Sequence, residues 1–483
     1  MTISEILVDR WHRLPLSAFP RSVLQRTALC FEDTLAVSLA SASIGVGTAA
    51  SRVAARSGTG PATLWGTGRG VSAGEASMAN GMLAHAMDYD DLHAASIMHS
   101  SAVVVPTAIA LGEQQSVSGP EMLAAAAVGY QVAAVLGRLA PGPFQEHGFQ
   151  STAVLGTFAA TAIAARLLRL TTAEAVSAYG IAGSMASGLM EFLSDGSDVK
   201  QMHPGWSAHG GIRAAELAAA GFKGPATVFE GRFGVFRSFA RVSTDASRLA
   251  ELQLDHWEVE DMAPKPYPAC LCVHPQVQAV LELRARGDID PDRIDDVTEI
   301  RCDVPHFYVP LVYEPAAAKR AVRTPYEGRF SAPYCMARAI VDGTLGVASF
   351  APDKLSDPRV TAIAAKVTYR EEALPEFPRS FPARVTVEKR DGARATAYVA
   401  HNLGSPANPL GIEQIDRKFL DCTAAALGES TARDLILAIR GLPLVGSEST
   451  FFGRLRSADL TSGRQSETRV DQVVLASQFE GSV

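Results

Sequence analysis

The chain has 483 residues, a formal net charge of −7, and 47% hydrophobic against 20% charged residues. That length corresponds to two or three domains at ~150 residues each, and the apolar fraction excludes a disordered chain. The acidic balance, 51 Asp and Glu against 44 Lys and Arg, excludes the basic stripe of a general nucleic-acid binder. It does not exclude an anionic small molecule, because a few local cations make a pocket positive inside an acidic protein.

In chain order, the N-terminal stretch carries Glu5, Asp9 and Arg10 and so lacks the apolar core of a signal peptide. Apolar residues recur at helical spacing over 22–40, opened by Pro20 and Arg21, and again over 123–139, 152–168, 172–189 and 207–220. Thr171 or Thr172 is the expected N-cap of the fourth segment, ahead of an acidic first turn. The apolar runs 122–136 and 155–168 fall short of the ~20 residues a membrane-spanning helix needs. They read as helices buried within a bundle, and no membrane partner is expected. The abundance of Ala and Gly in these segments lets helix backbones approach closely.

The texture changes near Pro264. Residues 297–304, 366–369, 383–389 and 393–400 are β-branched or alternate with period two, and the last two flank Asp391-Gly392, a two-residue hairpin signal. Residues 334–342 read as a helix, and helical patterning returns over 411–427 and 429–440. The expected fold is mainly α: a large all-helical domain, 1–264 completed by 401–460, plus a smaller α+β lid domain, 265–400. The polar end, 461–483, has little to bury and is expected to be a flexible tail.

Six cysteines do not make a disulfide framework in a chain of this length. Cys270 and Cys272 are one residue too close for a CxxC motif. Reduced thiols and a cytoplasmic location are the expectation.

Three clusters could carry chemistry. The first holds His85, Asp88, Asp90, Asp91, His93 and His99, with its first half in apolar, helical sequence. Ionisable groups so placed are expensive to bury unless paired or functional. His85 and Asp88, at i and i+3, would share a helix face. The cluster is open to three readings: a buried polar network, a metal site, or an acid–base site. The second contains Lys200 and His203 ahead of a helix expected to begin around Gly205; a cation beside a helix N-terminus binds carboxylates well. The third, Lys265-Pro-Tyr-Pro-Ala-Cys-Leu-Cys-Val-His274-Pro, reads as a stiff loop at the domain junction, a common place for ligand clefts.

These segments together resemble the MmgE/PrpD family, which includes 2-methylcitrate dehydratases, cis-aconitate decarboxylases and iminodisuccinate epimerases. The resemblance rests on MANGMLAHAMDYDDLH…HSSAVVVP (78–106), FQSTAVLGTFAATAIAARLL (149–168), YGIAGSMASGL (179–189), VKQMHPGWSAHGG (199–211), GFKGPATVFEGRFG (221–234), KPYPACLCVH (265–274) and GRFSAPYCMARAIVDG (328–343). It implies the two-domain fold drawn above, a homodimer, and proton movement at carbon beside a carboxylate, with no cofactor and no metal. The resemblance places the catalytic set at Asp88, His99, Lys200 and His274. Tyr308, Gln150, His203 and Lys265 would contact substrate. Asp88 with His99 would form the proton-transfer pair. Lys200 and His274 would bind carboxylates or protonate a leaving group.

Two positions depart from the decarboxylase pattern. Leu92 stands where those enzymes have Thr, and Gln150 where they have His. Glutamine does not exchange a proton near neutral pH, which counts against cis-aconitate decarboxylation. The implied function is a cofactor-independent lyase of a small di- or tricarboxylic acid, foremost a 2-methylcitrate dehydratase-like one. The alternatives are an epimerase of an iminodisuccinate-like dicarboxylate, a cis-aconitate decarboxylase, and a non-catalytic family member.

Overall fold

The computed structural model describes residues 1–195 and 197–460. The expected tail, 461–483, lies outside them. Helices dominate the first 260 residues. Arg21–Ser43, Ala73–His85, Ser101–Gln115, Gly119–Leu139, Ser151–Leu167, Thr172–Ala182 and Val199–Ala219 are the long ones, and Ile412–Leu427, Glu429–Gly441 and Glu448–Ser457 return to pack with them. Thr171 is the N-cap of its helix, with Glu174 closing a capping box. That helix stops at Ala182 rather than running to 189, because Gly183 begins a turn and the chain then reaches Gly188 at φ +127°.

Among the described residues one helix, Gly119–Leu139, is long and apolar enough to cross a membrane, and 94% of its apolar window is buried in protein. The tightest helix crossing relevant to the site joins Ala73–His85 to Val199–Ala219. A Cβ on Gly81 would lie 2.8 Å from Gly205 Cα, and one on Gly205 would lie 2.2 Å from the Met78 carbonyl oxygen. Only glycine permits that approach, which brings the first turns of the Val199–Ala219 helix beside the chain that follows His85.

A four-stranded sheet has the order Val367–Glu371, Val297–Val304, Ala383–Lys389, Arg394–Val399. The first pair is parallel and the other two antiparallel. Gly392, at φ +84°, makes the hairpin turn expected at Asp391-Gly392. The His274–Ala285 helix covers the last two strands and packs on Ala332–Asp342. One hydrophobic core draws on residues from Ile3 to Met262 and again from Phe419 to Ala458; a second draws on Ala269 to Val399.

Candidate active site

The Ala73–His85 helix ends at His85, and Asp88 then takes φ +52°. This left-handed turn costs a non-glycine residue energy and persists only where its surroundings enforce it. Here they do. Arg329 Nη1 donates to the carbonyls of Met87 (3.1 Å) and Pro268 (3.3 Å), and Lys265 Nζ donates to the Asp88 carbonyl at 2.7 Å. Lys418 Nζ, from the C-terminal Ile412–Leu427 helix, donates to the Tyr89 carbonyl at 3.0 Å. Leu92 and Ala263 exchange backbone hydrogen bonds of 3.1 and 2.9 Å. The loop from 86 to 93 is therefore held by segments from both cores.

Because the helix stops, His85 and Asp88 do not share a helix face as expected; they point into different clusters. Asp88 Oδ1 accepts from Lys200 Nζ at 2.6 Å, and Asp88 Oδ2 lies 3.3 Å from Lys265 Nζ. Burial would raise the Asp88 carboxyl, but Lys200 and Lys265 outweigh it and hold it well below the usual carboxylate range. Lys200 is stabilised in turn: burial opposes its charge, but Asp88 raises its pKa. Its ammonium also sits 5.0 Å from the Phe330 ring centroid. Lys200 lies inside the Val199–Ala219 helix, as does His203, so the expected helix start at Gly205 is too late by six residues. The sequence signal at fault is Pro204, which sits within the helix and merely withdraws the N–H that would bond Lys200 O.

The second cluster centres on Asp90, which is fully buried. Its Oδ2 lies 2.7 Å from His85 Nδ1 and 3.3 Å from His99 Nδ1. Burial would raise Asp90, yet His85 and His99 together hold it well below its ordinary value. His99, expected to pair with Asp88, is hydrogen-bonded instead to Asp90 and to the Asp91 carbonyl, at 2.9 Å. Both are acceptors, so His99 carries its proton on Nδ1 and leaves Nε2 free to take another. Burial lowers His99 to about 4, against the opposing pull of Asp90.

Gln150 links this cluster to the next. Its Nε2 lies 3.5 Å from His85 Nε2, and its Oε1 lies 2.5 Å from His203 Nδ1. Because Asp90 requires a donor from His85 Nδ1, His85 Nε2 must accept from the amide, and Gln150 Oε1 must accept from His203 Nδ1–H. Gln150 thus fixes two imidazole tautomers. It cannot relay a proton between them. Burial, with His85 and Lys200 adding, lowers His203 to about 4.

His274 starts its helix, buried, with Nε2 donating to the Ala269 carbonyl at 3.0 Å. Its Nδ1 is then an acceptor and finds no partner among the described residues. Burial, with Lys265 adding, lowers His274 to about 3, so it is neutral near pH 7 and offers a lone pair rather than a cation. Tyr308 is fully buried against Phe377 and Phe381, with ring centroids 6.0 and 5.9 Å away. Among the described residues no hydrogen bond or ion pair joins it to the Asp88 cluster.

Three neutral histidines at this seam have a consequence for folding. The unfolded chain protonates them near the ordinary 6.5, whereas the folded chain holds His99 and His203 to about 4 and His274 to about 3. Between those limits the unfolded state binds more protons, so the stability these groups contribute is full above about 6.5 and falls as pH drops toward 4. The urea midpoint should decline from pH 7 to 4.5 and recover partly in His203→Gln; a flat profile would contradict these assignments.

Among the described residues two groups bring possible metal ligands within 4.8 Å of one another: His85, Asp90, His99 and His93, Glu258, Asp261. In the first, both Nδ1 atoms are committed as donors to Asp90 and the Asp91 carbonyl. In the second, Arg138 already pairs with Glu258. Sequence reasoning singled out most of these side chains, but not Arg329 or Lys418. Nothing marks a lone basic residue in a helical segment as the support of a loop hundreds of residues away.

The fold and site define a mainly helical protein whose two cores meet at a buried cluster of Asp–Lys and Asp–His pairs. The chain belongs to the MmgE/PrpD family: the MmgE/PrpD N-terminal domain matches residues 5–246 and the MmgE/PrpD C-terminal domain residues 267–444. It is 28% identical over 402 residues to a cis-aconitate decarboxylase of Aspergillus terreus, covering 77% of this chain and 80% of that one. It is 27% identical over 464 residues to the cis-aconitate decarboxylase of Homo sapiens, covering 91% and 92%. A cis-aconitate decarboxylase-like protein of Aspergillus oryzae is 27% identical over 422 residues, covering 83% and 86%.

Proposed function

We propose that the protein is a lyase that acts on a small di- or tricarboxylic acid by moving a proton at carbon beside a carboxylate. The observation that carries this is the Lys200–Asp88–Lys265 arrangement, two buried ammonium groups on one carboxylate. Its surplus positive charge has a substrate carboxylate as its natural partner and stabilises negative charge developing on deprotonation. The cis-aconitate decarboxylase relatives support a carboxylic-acid substrate.

His99 is the base in this reading. Its Nε2 has no hydrogen-bond partner among the described residues, and Asp90, hydrogen-bonded through Nδ1–H, stabilises the imidazolium that forms. Asp88 is too strongly ion-paired to be a good base, and its role is to hold the two lysines. The unpartnered His274 Nδ1 accepts a hydrogen bond, which a substrate hydroxyl supplies and a carboxylate does not. That favours a 2-methylcitrate-like hydroxy acid over cis-aconitate as the substrate, and so does an amide at Gln150, where a decarboxylase would have a titratable histidine. In the elimination His99 takes the proton from carbon, the C=C bond forms as the C–O bond breaks, and the Lys265 ammonium of the same cluster gives the departing hydroxide its proton, so that water leaves. An epimerase would need a second base on the opposite face, and His203, locked by Gln150, is poorly placed to exchange protons.

The body contributed by the first core and the smaller unit of the second act as base and lid. The exposed Val199, Met202 and Trp206, on one face of the Lys200 helix, form the surface that a second copy would cover in a homodimer. Six unpaired cysteines suit a reducing compartment such as the cytoplasm.

The test is proton NMR of the protein with 2-methylcitrate, citrate and cis-aconitate. An alkene product from a hydroxy acid is the expected result: the methyl doublet of 2-methylcitrate becomes a downfield allylic singlet, or citrate gains a vinyl proton signal. Carbon dioxide release from cis-aconitate without dehydration of either hydroxy acid would replace the dehydratase reading with decarboxylation.

A further inference from the structure

Beside the Lys200–Asp88 pair, the second core contributes an aromatic group that the acid–base cluster does not use. Lys200 Nζ lies 5.0 Å from the Phe330 centroid, and the Phe330 ring lies 5.0 Å from that of Tyr326, with 36° between the planes. Tyr326 is on the short helix Pro325–Arg329, the same helix whose Arg329 clamps the Met87 carbonyl. Its hydroxyl is buried and finds no hydrogen-bond partner among the described residues. A buried hydroxyl left unpaired is destabilising and calls for a specific explanation; here it lies on the aromatic pair that faces the Lys200 ammonium.

The charged groups around this phenol are Lys200, Asp88 and Asp198, with the Cys270 thiol close by. Asp88 is already engaged by Lys200 and Lys265, and Asp198 accepts from Gln201 Nε2 at 2.9 Å. Neither carboxylate bonds the phenol. Burial pushes Tyr326 up to about 12, so it stays protonated and acts as a donor.

We infer that the Tyr326 hydroxyl is a substrate-binding donor that hydrogen-bonds the carboxylate held by Lys200, completing that subsite from the second core. The inference rests on the reading of Lys200 as the carboxylate-binding cation. It makes Tyr326 a determinant of polycarboxylate affinity, and it couples substrate binding to contact between the two cores, since Lys200 and Tyr326 come from opposite sides of the seam.

The experiment is calorimetric titration of the full chain with citrate as probe, in wild type, Tyr326→Phe and Lys200→Ala, with a thermal midpoint for each. Loss of one hydrogen bond to a charged group predicts roughly tenfold weaker citrate binding in Tyr326→Phe. Its thermal midpoint should be equal or higher, because the unpaired hydroxyl is gone; a merely structural hydroxyl would lower the midpoint and leave affinity alone. Wild-type affinity in Tyr326→Phe, with binding lost in Lys200→Ala, overturns the role of Tyr326 and leaves the Lys200 subsite standing. Citrate binding that is absent from wild type, or unaffected in Lys200→Ala, overturns both.

Discussion

Replacing Lys200 with Ala is expected to lower kcat/KM on the substrate found by NMR on the order of 10³-fold, the scale for removing one preorganised electrostatic donor. The effect should fall on kcat as well as KM. In the proposed reaction Lys200 holds the substrate carboxylate in the ground state and meets greater negative charge once the adjacent carbon loses its proton. The fold should survive, because the turn at Asp88 keeps its other supports: Lys265 on the Asp88 carbonyl and Arg329 on the Met87 carbonyl. Arginine should not rescue, since a planar guanidinium does not fit a site shaped for an ammonium over the Phe330 ring. Circular dichroism with steady-state kinetics checks this. Full turnover in a folded Lys200→Ala protein would refute the role.

The largest effect on stability is expected at Lys418. Its ammonium lies 2.7 Å from Asp33 Oδ1, 3.0 Å from the Tyr89 carbonyl oxygen and 3.9 Å from the Tyr89 ring centroid. Asp33 is almost fully buried in the Arg21–Ser43 helix, and burial raises its pKa even with Lys418 beside it. Lys418→Met strands that carboxyl and should cost about 3–5 kcal/mol, as breaking one side of a buried ion pair does. Removing both charges in Asp33→Leu/Lys418→Met should restore most of the loss. Urea unfolding of the two single variants and the double variant measures this. The double variant should still lose activity, because the Tyr89 carbonyl, one residue from Asp88, no longer has its anchor.

The helical character of the first 260 residues was legible from apolar spacing, and the hairpin from Asp391-Gly392. The ionisable groups of the site were also legible, because costly side chains in apolar sequence stand out. Their pairing was not. It depends on where the Ala73–His85 helix stops and on a left-handed residue, Asp88, that is not glycine. One turn of the chain separates His85 from Asp88 and sends His99 to Asp90 instead. Gln150 was visible as a departure from the family pattern, but its place between two imidazoles depends on the start of the Ser151–Leu167 helix meeting the Val199–Ala219 helix. Lys418 and Tyr326 gave no local signal, because their roles arise only when distant segments meet.

The proposed proton transfer by His99 is tested most directly by deuterium exchange at the carbon beside the substrate carboxylate, followed by NMR in heavy water for wild type and His99→Gln. Glutamine keeps a hydrogen-bonding group at that position but cannot accept the proton. Wild type should wash deuterium into the substrate or release product, and His99→Gln should do neither while still binding citrate. Exchange at the wild-type rate in His99→Gln would place the base elsewhere.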